Sequence, residues 1–252
     1  MKTVLLEQAK IYYGNLILVN AQYPLRSVDE KGMAPAQICF PNILIRRDAA
    51  NILQMILEKI SAGSAIVPVS GYRSAEEQED IYRQSLRDNG EVFTKQFVAL
   101  PGHSEHQTGL AIDLGLNQEN IDFICPAFPY EGICDIFRKA APDYGFIERY
   151  GKEKEAVTGI SHEPWHFRYV GYPHSKIMAE KGFSLEEYTA FLKDYDAHFR
   201  LLYKEPNGTE IGIYYAVADS PVTPVLLPED RLYQISGNNV DGFIVTVWRT
   251  DK

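Results

Sequence analysis

Between residues 48 and 62 the apolar side chains Ile52, Leu53, Ile56, Leu57 and Ile60 recur three and four positions apart, which predicts a helix packed on one face and stopped by Gly63. Residues 66–70 form a short apolar run and are predicted to be a buried strand. Ser74 followed three positions later by Glu77 is the pattern of a capping box, so a second helix is expected from there, ending before Gly90. Arg73 then falls on a strand-to-helix turn. Residues 110–114 and 165–170 alternate apolar with polar positions and read as half-buried strands. A period of two sends His166 and Arg168 to one face and Trp165, Phe167 and Tyr169 to the other, the core. Ser184 and Glu187 repeat the capping pattern for a helix to about residue 195. Beyond residue 201 strand character takes over, at 211–217, 232–235 and 243–248, and no segment repeats another. The expected organisation is a core over residues 1–198 and a small β-rich C-terminal appendage over 199–252.

Composition narrows the class. At 252 residues, 45% hydrophobic and 23% charged, the chain can bury a sizeable core. A net charge of −9 argues against a surface that grips nucleic acid, acidic lipid or polyanionic wall polymer, and favours a small, locally recognised substrate. Three cysteines, Cys39, Cys125 and Cys134, lack the spacing of a disulfide framework. The apolar run of residues 1–6 is too short for a secretory core, and no stretch approaches the ~20 apolar residues that span a bilayer. The expectation is a cytoplasmic protein without a membrane anchor.

Candidate chemistry concentrates in two segments. Ser104-Glu105-His106-Gln107-Thr108-Gly109-Leu110-Ala111-Ile112-Asp113 holds an imidazole and a carboxylate, with Gly109 permitting the tight backbone that could bring them to one point. His162-Glu163-Pro164-Trp165-His166 supplies a second imidazole and a carboxylate that could serve as a base. Two His and one Asp would leave a fourth zinc position for water, as catalytic sites do. Taken singly, each has a plainer reading: a lone His is usually a hydrogen-bonded or surface residue, and Asp113 alone could cap a turn. Pro164 speaks against the helical His-Glu-x-x-His arrangement.

Together, Ser70-Gly71-Tyr72-Arg73-Ser74 with Gln78, then Ser-x-His-x-x-Gly-x-Ala-x-Asp, then Glu-x-x-His, resemble the VanY/VanX-type D-alanyl-D-alanine metallopeptidases. The resemblance covers about residues 14–172, including Leu18-Val19-Asn20 and Tyr23-Pro24-Leu25, and is nearest to the bifunctional VanXY branch of D,D-dipeptidase/D,D-carboxypeptidases. It implies an α+β fold in which a small antiparallel sheet carries the ligands and helices flank it. It also implies one zinc per chain held by His106, Asp113 and His166, with Glu163 as acid/base and Arg73 stabilising the oxyanion. Ser104 and Gln78 match positions that touch substrate. No role carries over to His103, His162, His174 or His198. The implied activity is hydrolysis of D-Ala-D-Ala, removal of the terminal D-Ala of peptidoglycan precursors, or both, as in vancomycin resistance. A peptidoglycan endopeptidase of the same metal fold, disfavoured by the acidic charge, and a non-catalytic zinc-bearing binding domain are the alternatives.

Overall fold

The computed structural model describes residues 2–27 and 32–249. Its elements, in chain order, are β1 (Lys2–Glu7), β2 (Met33–Pro35), β3 (Leu44–Arg46), α1 (Arg47–Lys59), β4 (Ile66–Ser70), α2 (Ala75–Phe97), β5 (Ala111–Leu116), α3 (Gly132–Ala140) and β6 (Phe146–Tyr150). There follow α4 (Glu155–Thr158), β7 (Glu163–Tyr169), α5 (His174–Lys181), α6 (Leu185–Leu192), β8 (Leu201–Lys204), β9 (Glu210–Val217), β10 (Val222–Leu227), β11 (Tyr233–Gly237) and β12 (Gly242–Arg249). The mixed α+β class agrees with the sequence reading.

Contacts divide the chain into two compact units, Val19–Ser184 and a second made of Met1–Leu18 with Leu185–Lys252. The first is built on a four-stranded sheet in the order β4-β5-β7-β6, every neighbouring pair antiparallel. One face of this sheet is apolar: Ile66, Ile112, Leu114, Phe146, Trp165 and Phe167 pack with Leu53 and Ile56 of α1 and Phe137 of α3. Because side chains alternate along a strand, Asp113 between Ile112 and Leu114, and His166 between Trp165 and Phe167, project to the opposite face. Helix α2 opens on the expected capping box, in which Ser74 Oγ accepts from the Glu77 amide at 3.1 Å and the Glu77 carboxylate accepts from the Ser74 amide at 2.7 Å. Its first segment stops at Gly90, as the sequence pattern predicts. Gly90 takes φ 80°, outside helical geometry, and the helix resumes to Phe97.

In the second unit β8, β9, β12 and β11 form an antiparallel sheet, and β1 pairs with β10, Lys2 opposite Leu227. Tyr214, Val225, Leu227, Val245 and Val247 make its core. The division therefore falls after Ser184, and the unit takes in the N-terminal 18 residues, whereas strand character alone suggested 198/199. The physical reason is long-range pairing. The Leu16 amide donates to Ser236 Oγ at 2.9 Å, across 220 residues of sequence, a bond that local periodicity cannot reveal.

Candidate active site

Strand register brings the site together. Asp113 on β5 and His166 on β7 are direct partners in the antiparallel ladder, so their side chains stand side by side, with His166 Nδ1 3.0 Å from Asp113 Oδ1. His106 arrives from the short 3₁₀ turn Glu105–Thr108, after which Gly109 adopts φ 69° and turns the chain into β5. Its Nε2 lies 3.1 Å from Asp113 Oδ2. The two imidazoles meet edge to face, ring centres 5.0 Å apart. Glu163 begins β7 where the ladder with β6 shifts, Tyr150 pairing with Glu163, and this irregularity aims its carboxylate at the same cluster, 3.7 Å from His166 Nδ1.

Arg73 follows β4 through Gly71, where a Cβ would stand 2.2 Å from the Leu44 carbonyl oxygen, so only glycine fits. Its guanidinium donates from Nε to Ser70 Oγ at 2.8 Å, from one terminal nitrogen to Gln78 Oε1 at 3.4 Å, and from the other to Asp113 Oδ2 at 3.1 Å. Gln78, expected at the substrate, is instead fully buried and absent from the cavity wall. Its amide nitrogen donates to the Ala99 carbonyl at 2.8 Å, so in this structure it orients Arg73. Ser104 is buried and does line the cavity.

Electrostatics sort these groups. Burial, reinforced by nearby Arg73, pushes the His106 pKa down to about 4, so the ring is neutral at physiological pH. Its Nδ1 lies 2.7 Å from the Gly71 carbonyl oxygen and must carry the hydrogen, which leaves a lone pair on Nε2 facing the Asp113 carboxylate. Burial opposes ionisation of Asp113, yet the charge that His166 takes up beside it holds its carboxyl well below the usual range. Two acceptors in contact call for a cation between them. The ligand atoms of His106, Asp113 and His166 all lie within 4.8 Å of one another, and this donor set fits a divalent metal such as zinc. For His166 burial disfavours charge, but its contact with Asp113 and the facing carboxylates of Glu105 and Glu163 raise the pKa to about 9 in the metal-free site, so metal uptake there displaces a proton. Burial lifts Glu163 to about 8, with the neighbouring Asp113 charge adding to the rise.

The face predicted to carry His166 and Arg168 is a buried polar layer. Glu105, which the sequence reading passed over, sits 2% exposed between Arg149 and Arg168, its Oε1 2.9 Å from Arg149 Nε and 3.0 Å from an Arg168 terminal nitrogen. The cavity over the cluster, about 40 Å³, is lined by Arg73, Ser104, His106, Asp113, Glu163 and His166 among others. An apolar pocket of about 290 Å³ adjoins it, with Val98, Ala99, Tyr150 and Ile160 lining both. His103 lines that second pocket. His162 stacks on Tyr130, and His174 is buried away from both cavities.

Comparison with known proteins gives consistent relatives. The family profile described as VanY, D-alanyl-D-alanine carboxypeptidase, matches residues 42–172. The bifunctional D-Ala-D-Ala dipeptidase and D-Ala-D-Ala carboxypeptidase VanXYC of Enterococcus gallinarum is 42% identical over 179 residues, 70% of this chain and 94% of that protein. The crystal structure of the vancomycin-resistance D,D-dipeptidase VanXYg, in complex with a D-Ala-D-Ala phosphinate analog, superposes with a TM-score of 0.97 at 65% identity, covering 98% of this chain and 99% of that one. A mutant of the D,D-pentapeptidase VanY from a VanB-type resistance cassette, in complex with Zn(II), is 27% identical with a TM-score of 0.55, covering 69% of this chain and 98% of the other.

Proposed function

This chain belongs to the VanY family of D-alanyl-D-alanine carboxypeptidases, and from that premise we propose that it is a zinc D,D-peptidase cutting both free D-Ala-D-Ala and the terminal D-Ala of peptidoglycan precursors. Removing these termini removes the target of vancomycin-type antibiotics. The observation that carries the reading is geometric: the ligand atoms of His106, Asp113 and His166 converge within 4.8 Å, and the buried Glu163 carboxyl stands beside them, 3.7 Å from His166 Nδ1, where it can carry a proton. His106, Asp113 and His166 would hold the metal, as the Zn(II) complex of a VanY relative supports. When bound, zinc supplies a Lewis acid that brings the pKa of a water down to about 7.

The protein's own groups divide the rest of the work. Glu163 takes a proton from the attacking water and delivers it to the departing amine. Arg73, tethered by Ser70 and Gln78, presents a preoriented positive charge to the carbonyl oxygen as it becomes an oxyanion. Ser104 on the cavity wall contacts the substrate. The small cavity suits the scissile group alone, and the adjoining 290 Å³ pocket supplies room for the stem of a longer precursor. We place the reaction in the cytoplasm, in keeping with the free thiols of Cys39, Cys125 and Cys134. No described helix is long and apolar enough to cross a membrane.

The test is kcat/KM for D-Ala-D-Ala, a pentapeptide precursor, D-Ala-D-Ser and L-Ala-L-Ala in one zinc-containing buffer. Release of D-Ala from the first two, slower cleavage of the third and none of the fourth is expected. Activity confined to the dipeptide would reject the bifunctional assignment, and rapid L,L cleavage would overturn the D,D reading.

A further inference from the structure

Two buried polar atoms beside the site lack hydrogen-bond partners and face each other: Glu105 Oε2 and His166 Nε2, 3.6 Å apart. The other carboxylate oxygen of Glu105 is occupied by Arg149 and Arg168, and all three side chains have no solvent exposure. On the opposite edge of the His166 ring, Nδ1 looks toward Asp113 Oδ1 at 3.0 Å and Glu163 Oε2 at 3.7 Å. A neutral imidazole carries one N–H. Placed on Nδ1, that hydrogen would leave a lone pair on Nε2 against the Glu105 carboxylate. Placed on Nε2, it points at Glu105 and frees the Nδ1 lone pair for the candidate metal cluster.

We propose that Glu105, anchored by Arg149 and Arg168, is the positioning residue for His166, setting its tautomer and ring orientation so that Nδ1 serves as the metal donor. The inference rests on the reading of His106, Asp113 and His166 as metal ligands. A buried carboxylate–diguanidinium group is expensive to desolvate, and apolar side chains could fill the same space. What apolar side chains cannot do is accept the ring N–H. The three partners come from different elements, the turn before β5, β6 and β7, so the carboxylate is immobilised on rigid backbone.

The test compares zinc affinity, by chelator competition, in the wild type, Glu105→Leu, and the double variant Glu105→Leu with Arg149→Met, which keeps the net charge of the buried group unchanged. Folded variants are expected to bind zinc about ten- to a hundredfold more weakly and to shift the d–d spectrum of the Co(II)-substituted protein. A role confined to packing would lower the unfolding midpoint and leave both unchanged. Should neither variant fold, the ¹⁵N shifts of His166 in the zinc-loaded wild type decide: a protonated Nε2 with Nδ1 ligated supports the proposal, and ligation through Nε2 overturns it. Zinc binding by the variants within twofold of the wild type removes this inference alone. A wild type that takes up no zinc removes the metal-site reading and this inference with it.

Discussion

Replacing Glu163 by Gln removes a proton carrier without removing any of the three converging ligand atoms. General acid–base catalysis contributes about 10²–10⁴-fold, so kcat on saturating D-Ala-D-Ala is expected to fall by that range while zinc stays bound. The same substitution has a second, independent consequence in the metal-free protein. Burial raises the Glu163 carboxyl from its ordinary 4.5 to about 8, so between these values the folded chain keeps a proton that the unfolded chain has released. The stabilisation is fully present below pH 4.5 and is lost as pH rises through 8. At about 1.36 kcal/mol per unit, this amounts to on the order of 5 kcal/mol across the window. Gln cannot ionise and escapes the loss. Chelated wild type and Glu163→Gln should therefore have similar urea midpoints at pH 5, and the variant should be more stable by a few kcal/mol at pH 9. Steady-state kinetics, elemental analysis and unfolding at the two pH values check each part. A near-normal kcat refutes the acid/base role, loss of zinc makes Glu163 a ligand, and identical pH dependence refutes the burial argument.

His106→Ala or Asp113→Ala should bring zinc from one per chain toward none in elemental analysis, and an unchanged content would refute the ligand assignment. Arg73→Ala should lower kcat by a hundredfold or more, about 3 kcal/mol of lost oxyanion stabilisation, with the larger change in kcat than in KM. Ser74→Ala breaks the capping box of α2 and should cost about 1 kcal/mol in urea unfolding with zinc affinity unchanged.

The elements that local pattern announces are those whose pattern is complete within a few residues. The strand Ile66–Ser70 and the body of α1 lie where the apolar spacing put them, because Leu53, Ile56 and Leu57 alone define a face. Helix α2 breaks at Gly90 as predicted, and a second segment follows it for a tertiary reason. Gly90 does break helical geometry, but Thr94 Oγ1 donates to the Gly90 carbonyl at 2.9 Å and meets Ser85 Oγ at 2.8 Å, a buried pair that clasps the two segments across the break. Strands β1 and β10 went unread because their meaning lies in a partner more than two hundred residues away.

The site shows the same divide between residue type and residue company. Motif spacing singled out His106, Asp113, His166 and Glu163, the family resemblance added Arg73, and the structure brings these five side chains to one cavity. Gln78, which the resemblance placed at the substrate, is buried and accepts from the Arg73 guanidinium, a contact that no spacing contains. Glu105 stood inside the most informative motif and was read as filler between Ser104 and His106. A signal for it existed. The period of β7 had already placed Arg168 on the face of His166, and a guanidinium beside a cation site is repulsive unless a carboxylate lies between them. Counting charge on the predicted faces, as well as hydrophobicity, asks for an acidic residue at that point. Glu105, next to His106 in the chain, is 3.0 Å from Arg168 on one side and 3.6 Å from His166 on the other, and fills that place.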